Sequence, residues 1–190
     1  MFKAIPNILT TLRILLVPVF IWLFYFTPVA NSYIWALVVF ITAELTDYFD
    51  GYLARKYNII SNYGKVMDPL ADKLLTGAAF IFIALAPHYI VDAVIVVIIL
   101  LREIAITILR EVYIRKKIYI PANIWGKLKT VLQMAGLTAA LLYIAFFKTE
   151  NDIILMVFYY YFWLVALVTI FSGAVYFIPL LFTKSEGNEL

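Results

Sequence analysis

Two long stretches without charge constrain this chain more than any other feature of its sequence. Residues 14–43 and 153–183 contain no Asp, Glu, Lys or Arg over 30 and 31 positions. A helix needs about 20 mostly apolar residues to cross the hydrocarbon core of a bilayer. Of all residues, 65% are hydrophobic and only 14% are charged, whereas soluble domains carry about 25% charged residues. The chain is therefore predicted to be an all-α integral membrane protein.

Helix breakers and charges divide the apolar sequence into six predicted membrane spans. The run at 14–43 is too long for one helix, and Thr27-Pro28 and Asn31-Ser32 interrupt it. The predicted spans cover residues 10–26, 33–55, 66–86, 90–112, 130–147 and one helix with a tail within 153–183. We expect a six-transmembrane-helix bundle that forms one domain over residues 1–190. Its N-terminal segment, residues 1–13, is expected to lie along the membrane interface.

The basic residues predict the orientation of this bundle. Fourteen of the fifteen Lys and Arg residues would lie on one side of the membrane, with only Lys148 on the other. Positive residues concentrate on the cytoplasmic side of membrane proteins, so both termini are expected there. The net charge of +3 thus reports topology and does not favour a nucleic-acid partner. A cleavable signal peptide is a weaker alternative, because Arg13 interrupts its apolar region.

The lack of Cys and the near absence of His exclude several kinds of catalytic and metal-binding site. The chain contains no Cys and a single His, His88. A thiolate nucleophile, a redox switch and a zinc site built on Cys or His are therefore excluded.

Four aspartates with helical spacing are the main candidate site. Asp47 and Asp50 are three residues apart, and Asp68 and Asp72 are four apart, so each pair shares a helix face. A short basic turn would make the two predicted helices antiparallel neighbours. The four carboxylates are therefore expected to converge near the cytoplasmic edge of the membrane. Ionisable groups at membrane depth are costly and usually functional.

These carboxylates would repel one another unless a cation lay among them. Hard divalent cations prefer carboxylate oxygens, and two such ions can clamp a phosphoryl displacement. Gly51 and Ala54 leave space beside the helix backbone, Arg55 is placed to bind a diphosphate, and Lys73 adds a second positive charge. This metal-dependent interpretation has two alternatives. Each Asp could simply pair with a nearby Lys or Arg, or the protein could be a divalent-cation transporter. Transport fits less well, because its acidic residues would lie near the midplane or on both sides.

The sequence pattern D-x-x-D-G-x-x-A-R, eight residues, then G-x-x-x-D-x-x-x-D spans residues 47–72. It resembles the signature of the CDP-alcohol phosphotransferase family at every fixed position. The resemblance implies an enzyme that transfers a phosphatidyl or phosphoalcohol group from a CDP-linked donor to an alcohol and releases CMP. It implies that two Mg²⁺ or Mn²⁺ ions are bound by Asp47, Asp50, Asp68 and Asp72, with Asp72 also acting as general base. The residues implied in CDP binding are Asp47, Gly51, Ala54, Arg55, Gly64 and Asp68.

Other segments resemble one branch of that family, the bacterial phosphatidylglycerophosphate synthases. They are residues 6–13, 68–73, 102–103 with 110–111, and 125–130 with 133. This resemblance implies CDP-diacylglycerol as donor, glycerol-3-phosphate as acceptor, a homodimer and a bacterial-type cytoplasmic membrane. Serine, inositol phosphate or a second lipid stay open as acceptors. An anionic acceptor needs cations, and the candidates are Lys73, Arg110, Lys127 and Lys129. Anchoring of helix ends is an equal alternative for Lys127 and Lys129.

Several other polar residues have no single assignment from the sequence. Glu44 lies one turn before the first aspartate pair and could support the site or pair with Arg102. Arg102 and Glu103 are adjacent, so each is expected to have a partner elsewhere. Asn7 and Thr10 could touch the nucleotide, although Asn after Pro more commonly caps a helix.

Overall fold

A computed structural model describes residues 5–27, 31–57, 62–86, 90–116, 124–147 and 151–183. Within these ranges the side chains of some residues, among them Asp50, Ala54 and Arg55, are not described. Every regular element in the described ranges is helical, so the predicted all-α class is confirmed. The helices are α1 (Ile5–Ile21), which continues as one turn of π-helix (Trp22–Phe26), α2 (Ser32–Tyr57), α3 (Asn62–Leu85), α4 (Ala93–Arg115), α5 (Ile124–Phe146) and α6 (Asp152–Thr183).

The ends of these helices follow local signals in the sequence. Asn31 adopts a positive φ of 71° immediately before α2, a conformation that Asn tolerates better than most residues. Asp92 caps α4, because its side chain accepts a hydrogen bond of 2.9 Å from the backbone N–H of Val94. Each of the six predicted spans overlaps one of the helices.

The start of α1 differs from the expectation. The helix runs without a break from Ile5 through Arg13, and a candidate span begins at Asn7. Asn7 therefore lies inside a helix and does not cap one. Thr10 and Arg13 of this segment are buried, and the position of residues 1–13 at the membrane interface stays a prediction.

The apolar character of the helices indicates a multi-pass membrane protein. Among the described residues, three segments are long and apolar enough to cross a bilayer: Asn7–Phe26, Ile124–Phe146 and Asp152–Tyr176. Helices α2, α3 and α4 have 26, 24 and 23 residues, but they carry charged side chains within their length. The count of six spans stays a prediction.

The chain forms two compact units, and α5 contributes to both. The first unit comprises Met1–Ile90 with Leu137–Asn151, and the second comprises Val91–Gly136 with Asp152–Leu190. In the first unit α1 packs extensively against α2 and against α3, and among the described residues fewer contacts join α2 to α3. The rings of Phe20 and Phe40, both fully buried, lie 6.1 Å apart between their centroids. Helix α1 therefore lies against both α2 and α3, and the extent of direct pairing between α2 and α3 stays a prediction, because residues beside the predicted turn lie outside the described ones.

In the second unit α4 packs against α6, and a small residue brings α5 close to α6. A Cβ atom on Gly136 would lie 2.5 Å from Cε1 of Tyr161 and 3.1 Å from Cε1 of Phe162. The ring of Tyr161 is held in place, since its hydroxyl donates a hydrogen bond of 2.7 Å to the carbonyl of Leu132. Small residues at helix contacts let backbones approach closely in membrane proteins.

Substitution of Gly136 by alanine is therefore expected to destabilise the protein by about 1–3 kcal/mol, because the Tyr161 ring must move. Gly126→Ala is a matched control in the same helix, since its Cβ would lie 3.7 Å from the hydroxyl of Tyr176, an ordinary contact. Both changes raise helix propensity equally. Thermal unfolding in detergent measures the difference, and equal melting temperatures for the two variants would contradict it.

Candidate active site

The candidate site in the first unit contains aspartates from α2 and α3 together with two residues of α1. Nη1 of Arg13 lies 2.7 Å from Oδ1 of Asp47 on α2. The Arg13 side chain is only 1% exposed, whereas the Asp47 side chain is 48% exposed. Arg13 is thus a buried cation beside a carboxylate that remains accessible. Arg13 was not among the predicted site residues.

Two further hydrogen bonds connect α1 to the same site. The hydroxyl of Thr10, which is fully buried, donates to Oδ1 of Asp68 on α3. Nε of Arg13 donates to the carbonyl of Ala43 at 3.3 Å. Within α1, the backbone carbonyl of Asn7 accepts a hydrogen bond of 2.8 Å from the hydroxyl of Thr11. The polar face of α1 therefore contacts both signature helices.

Glu44 adds another acidic group to this region. Its half-buried carboxyl interacts electrostatically with Asp72 and Asp47, which repel its negative charge, and with Arg13, which attracts it. Carboxyl groups from α2 and α3 are therefore close enough to influence one another. Of the two alternatives for Glu44, the interactions favour support of the aspartate site over pairing with Arg102.

The structure describes the predicted ligands of this unit only in part. The side chains of Asp50, Ala54 and Arg55 lie outside the described residues. Gly64 is buried on α3, while Gly51, Asp72 and Lys73 are partly buried. Among the residues with described side chains, no three His, Cys, Asp or Glu groups are arranged to hold a metal. Convergence of all four aspartates stays a prediction.

The chemistry of the described donors nevertheless suits a divalent cation. Asp47 and Asp68 each have Oδ1 engaged by α1, and within the described part of the chain neither Oδ2 has a partner. Carboxylate oxygens are the ligands that Mg²⁺ and related hard cations prefer. The two aspartates therefore retain ligand atoms of the correct type.

The second unit presents a separate group of basic residues. Arg110 on α4 is exposed, and its Nη2 donates a hydrogen bond to the hydroxyl of Tyr176. Its Cζ also lies 5.0 Å from the centroid of the same ring. The backbone carbonyl of Tyr176 in turn accepts a hydrogen bond of 3.1 Å from Tyr113. Arg110 has no carboxylate partner in the described ranges, and Lys127 is also exposed; these are cations that an anion can reach.

Lys129 differs from these two cations because it is buried and paired. Its amino group contacts Oε1 of Glu103, which also lies 3.2 Å from Nη1 of Arg102. Arg102 further donates hydrogen bonds to the hydroxyl of Ser172 at 2.8 Å and the carbonyl of Thr169 at 3.1 Å. The expectation that Arg102 and Glu103 each have a partner elsewhere is confirmed, and the two side chains also contact each other. Long side chains let residues that are adjacent in sequence contact each other, even though their Cα–Cβ bonds point to different faces of the helix.

Comparison with known proteins identifies relatives over almost the whole chain. A family model described as CDP-alcohol phosphatidyltransferase matches residues 3–172. A protein of Rickettsia typhi named CDP-diacylglycerol–glycerol-3-phosphate 3-phosphatidyltransferase is 39% identical over 180 residues, which cover 92% of this chain and 96% of that protein. A protein of the same name from Bacillus subtilis is 37% identical over 192 residues, covering 91% of this chain and 93% of the relative. The similarity thus includes residues of both compact units.

Proposed function

Because this chain belongs to the CDP-alcohol phosphatidyltransferase family, we propose that it transfers the phosphatidyl group of CDP-diacylglycerol to glycerol-3-phosphate. The products are phosphatidylglycerophosphate and CMP, as a step in phospholipid (phosphatidylglycerol) biosynthesis. The observation that carries this proposal is the identity of 39% to a transferase with these named substrates, over 96% of that protein's length. Residues 1–190 act as one functional domain in this proposal.

The proposed reaction replaces one phosphate ester by another. The acceptor hydroxyl attacks the phosphorus that carries diacylglycerol, the bond from that phosphorus to the oxygen of CMP breaks, and the hydroxyl proton passes to the Asp72 carboxylate. Asp47, Asp50, Asp68 and Asp72 would hold two Mg²⁺ or Mn²⁺ ions. When bound, such ions neutralise charge on the reacting diphosphate. Positioning and charge neutralisation account for most of the catalysis in phosphoryl transfer.

The remaining residues of the signature are proposed to bind the donor nucleotide. Gly51, Ala54 and Gly64 have little or no side chain, so a diphosphate can approach the helix backbone closely. Arg55 supplies planar donors that match phosphate oxygens. Asp47 and Asp68 are part of this donor site as well as of the metal site.

The acceptor phosphate is proposed to bind basic residues. Arg110 is the principal candidate, because it is exposed, is oriented by Tyr176 and has no carboxylate partner among the described residues. Lys73 and Lys127 would add positive charge. Lys129 belongs to the same proposed group, but its amino group is already paired with Glu103. We therefore expect its substitution to affect packing between α4 and α5 more than acceptor affinity.

The experiment that tests this function measures CMP release by the purified full chain from CDP-diacylglycerol. Glycerol-3-phosphate, serine, inositol phosphate and a lipid alcohol are supplied in turn as acceptors. CMP formation that requires glycerol-3-phosphate supports the proposal. CMP release only with a different acceptor would agree with the family assignment but would overturn glycerol-3-phosphate as the acceptor. No release with any acceptor would overturn the proposed reaction.

Replacement of Arg110 by alanine is expected to raise the KM for glycerol-3-phosphate by about 10–100-fold. Charge-assisted hydrogen bonds contribute about 1.5–3 kcal/mol each, and the KM for CDP-diacylglycerol should change little. Arg115→Ala is the matched control on the same helix, because Arg115 is exposed and pairs with Glu111 at 3.1 Å. Steady-state kinetics with each substrate varied in turn provides the measurement. Equal effects on both KM values would contradict the assignment.

We also propose a homodimer in a bacterial-type cytoplasmic membrane, with both termini and the active site on the cytoplasmic side. The absence of native Cys makes single-cysteine labelling of the topology direct. In intact cells a membrane-impermeant maleimide should label Lys148→Cys, and it should label Ser185→Cys only after permeabilisation. Labelling of both positions in intact cells would contradict this orientation.

A further inference from the structure

We infer that Thr10 and Arg13 of α1 are positioning residues for the metal site, an inference that rests on the proposed function. Each residue engages Oδ1 of one proposed metal ligand: Thr10 that of Asp68 on α3, and Arg13 that of Asp47 on α2. A carboxylate held through one oxygen presents its other oxygen in a fixed direction. Partners of this kind commonly orient metal ligands. In this way α1 sets the affinity of the site for its divalent cations.

The contacts of Arg13 define its orientation at two points. Nη1 lies 2.7 Å from Asp47, and Nε donates to the carbonyl of Ala43, which is one helical turn earlier on α2. A guanidinium that spans one turn of the opposite helix has little freedom to rotate. Because Arg13 is 1% exposed, its charge would be costly at membrane depth without such partners.

Thr10 and Arg13 lie three residues apart and therefore share one face of α1. This face reaches both signature helices, and α1 packs extensively against each of them in the described part of the chain. The orientation of Asp47 relative to Asp68 thus depends on α1. The positive charge of Arg13 also lies beside the Asp47 carboxylate and offsets part of its negative charge.

Conservative variants of Thr10 and Arg13 separate a positioning role of these residues from effects of charge and from effects on folding. Thr10→Val removes the hydrogen bond to Asp68 and nearly preserves the side-chain volume. Arg13→Lys keeps the positive charge but cannot form the two-point contact with α2. Thr11→Val is the matched control, because the exposed Thr11 hydroxyl donates a hydrogen bond of 2.8 Å to the carbonyl of Asn7 in its own helix.

The experiment is a titration of the purified full chain with Mn²⁺, in which electron paramagnetic resonance measures the free ion. Thr10→Val and Arg13→Lys are expected to raise the Kd by about 10–100-fold, and Thr11→Val to leave it near the wild-type value. Excess Mn²⁺ should restore kcat in both variants while the KM for glycerol-3-phosphate stays constant. A purely structural role would lower the melting temperature without this rescue. If Arg13→Lys does not fold, Thr10→Val decides the outcome.

Three results are distinguishable. Weaker Mn²⁺ binding in the α1 variants supports the inference. Wild-type Kd in Thr10→Val, together with loss of binding in Asp47→Asn, would overturn the role of Thr10 in positioning and leave the proposed metal site intact. Failure of the wild-type chain to bind Mn²⁺ would overturn the metal site and, with it, the inference.

Discussion

Replacement of Asp72 by asparagine is expected to lower turnover by about 10²–10⁴-fold, the contribution typical of a general base. The amide cannot accept the proton of the acceptor hydroxyl, whereas its size matches that of the carboxyl group. CMP release at saturating concentrations of both substrates measures the change. The melting temperature should stay close to that of the wild type, because Asp72 is partly exposed and its backbone carbonyl still accepts the hydrogen bond from Thr76.

A second aspartate provides the matched control for this substitution. Asp92 caps α4 through a hydrogen bond to the backbone of Val94, and asparagine caps helices about as well as aspartate. Asp92→Asn should therefore retain activity and stability. Because Asp72 is also a proposed metal ligand, both variants are assayed over a range of Mn²⁺ concentrations. Turnover of Asp72→Asn near the wild-type rate, or full recovery at high Mn²⁺, would exclude its role as base.

Removal of divalent cations is expected to abolish CMP release, and addition of Mg²⁺ or Mn²⁺ to restore it. Without a cation, the carboxylates of the site would face the negative charges of the donor diphosphate, and this repulsion is strong where water is scarce. The measurement compares enzyme treated with chelator and desalted with the same enzyme after addition of each ion. Chelator already saturated with Mg²⁺ controls for other effects of the reagent. Turnover that persists in the desalted, metal-free enzyme would exclude the proposed mechanism.

The candidate site shows which inferences local sequence can support. The spacing of Asp47, Asp50, Asp68 and Asp72 is sufficient to place each pair on one helix face, since helical periodicity depends only on neighbouring residues. The same reasoning predicted α2 and α3 as direct neighbours, because a short turn joins them. Among the described residues, α1 packs against both of these helices. Chain connectivity limits the distance between two helices but does not exclude a third helix from lying against both.

The roles of individual cations were harder to predict than those of the aspartates. In the sequence, Arg110 and Lys129 are both basic residues near the ends of predicted spans, and both were predicted to bind the acceptor. In the structure Arg110 is exposed beside Tyr176, whereas Lys129 is buried against Glu103. Nothing in the local pattern separates them, since each environment is created by residues far away in the chain. Tyr176, for example, is 66 positions from Arg110.

The sequence by itself determined that this protein is helical, that it belongs in a membrane, and where its signature carboxylates lie along the chain. These properties depend on apolar length, on breakers such as Pro28, and on spacing within one helix. Only the tertiary structure decided that Thr10 meets Asp68 over a separation of 58 residues and that a buried Arg13 meets Asp47. The physical reason is that helix formation is governed by near neighbours, whereas the partner of a polar side chain is selected when distant helices pack together and exclude solvent.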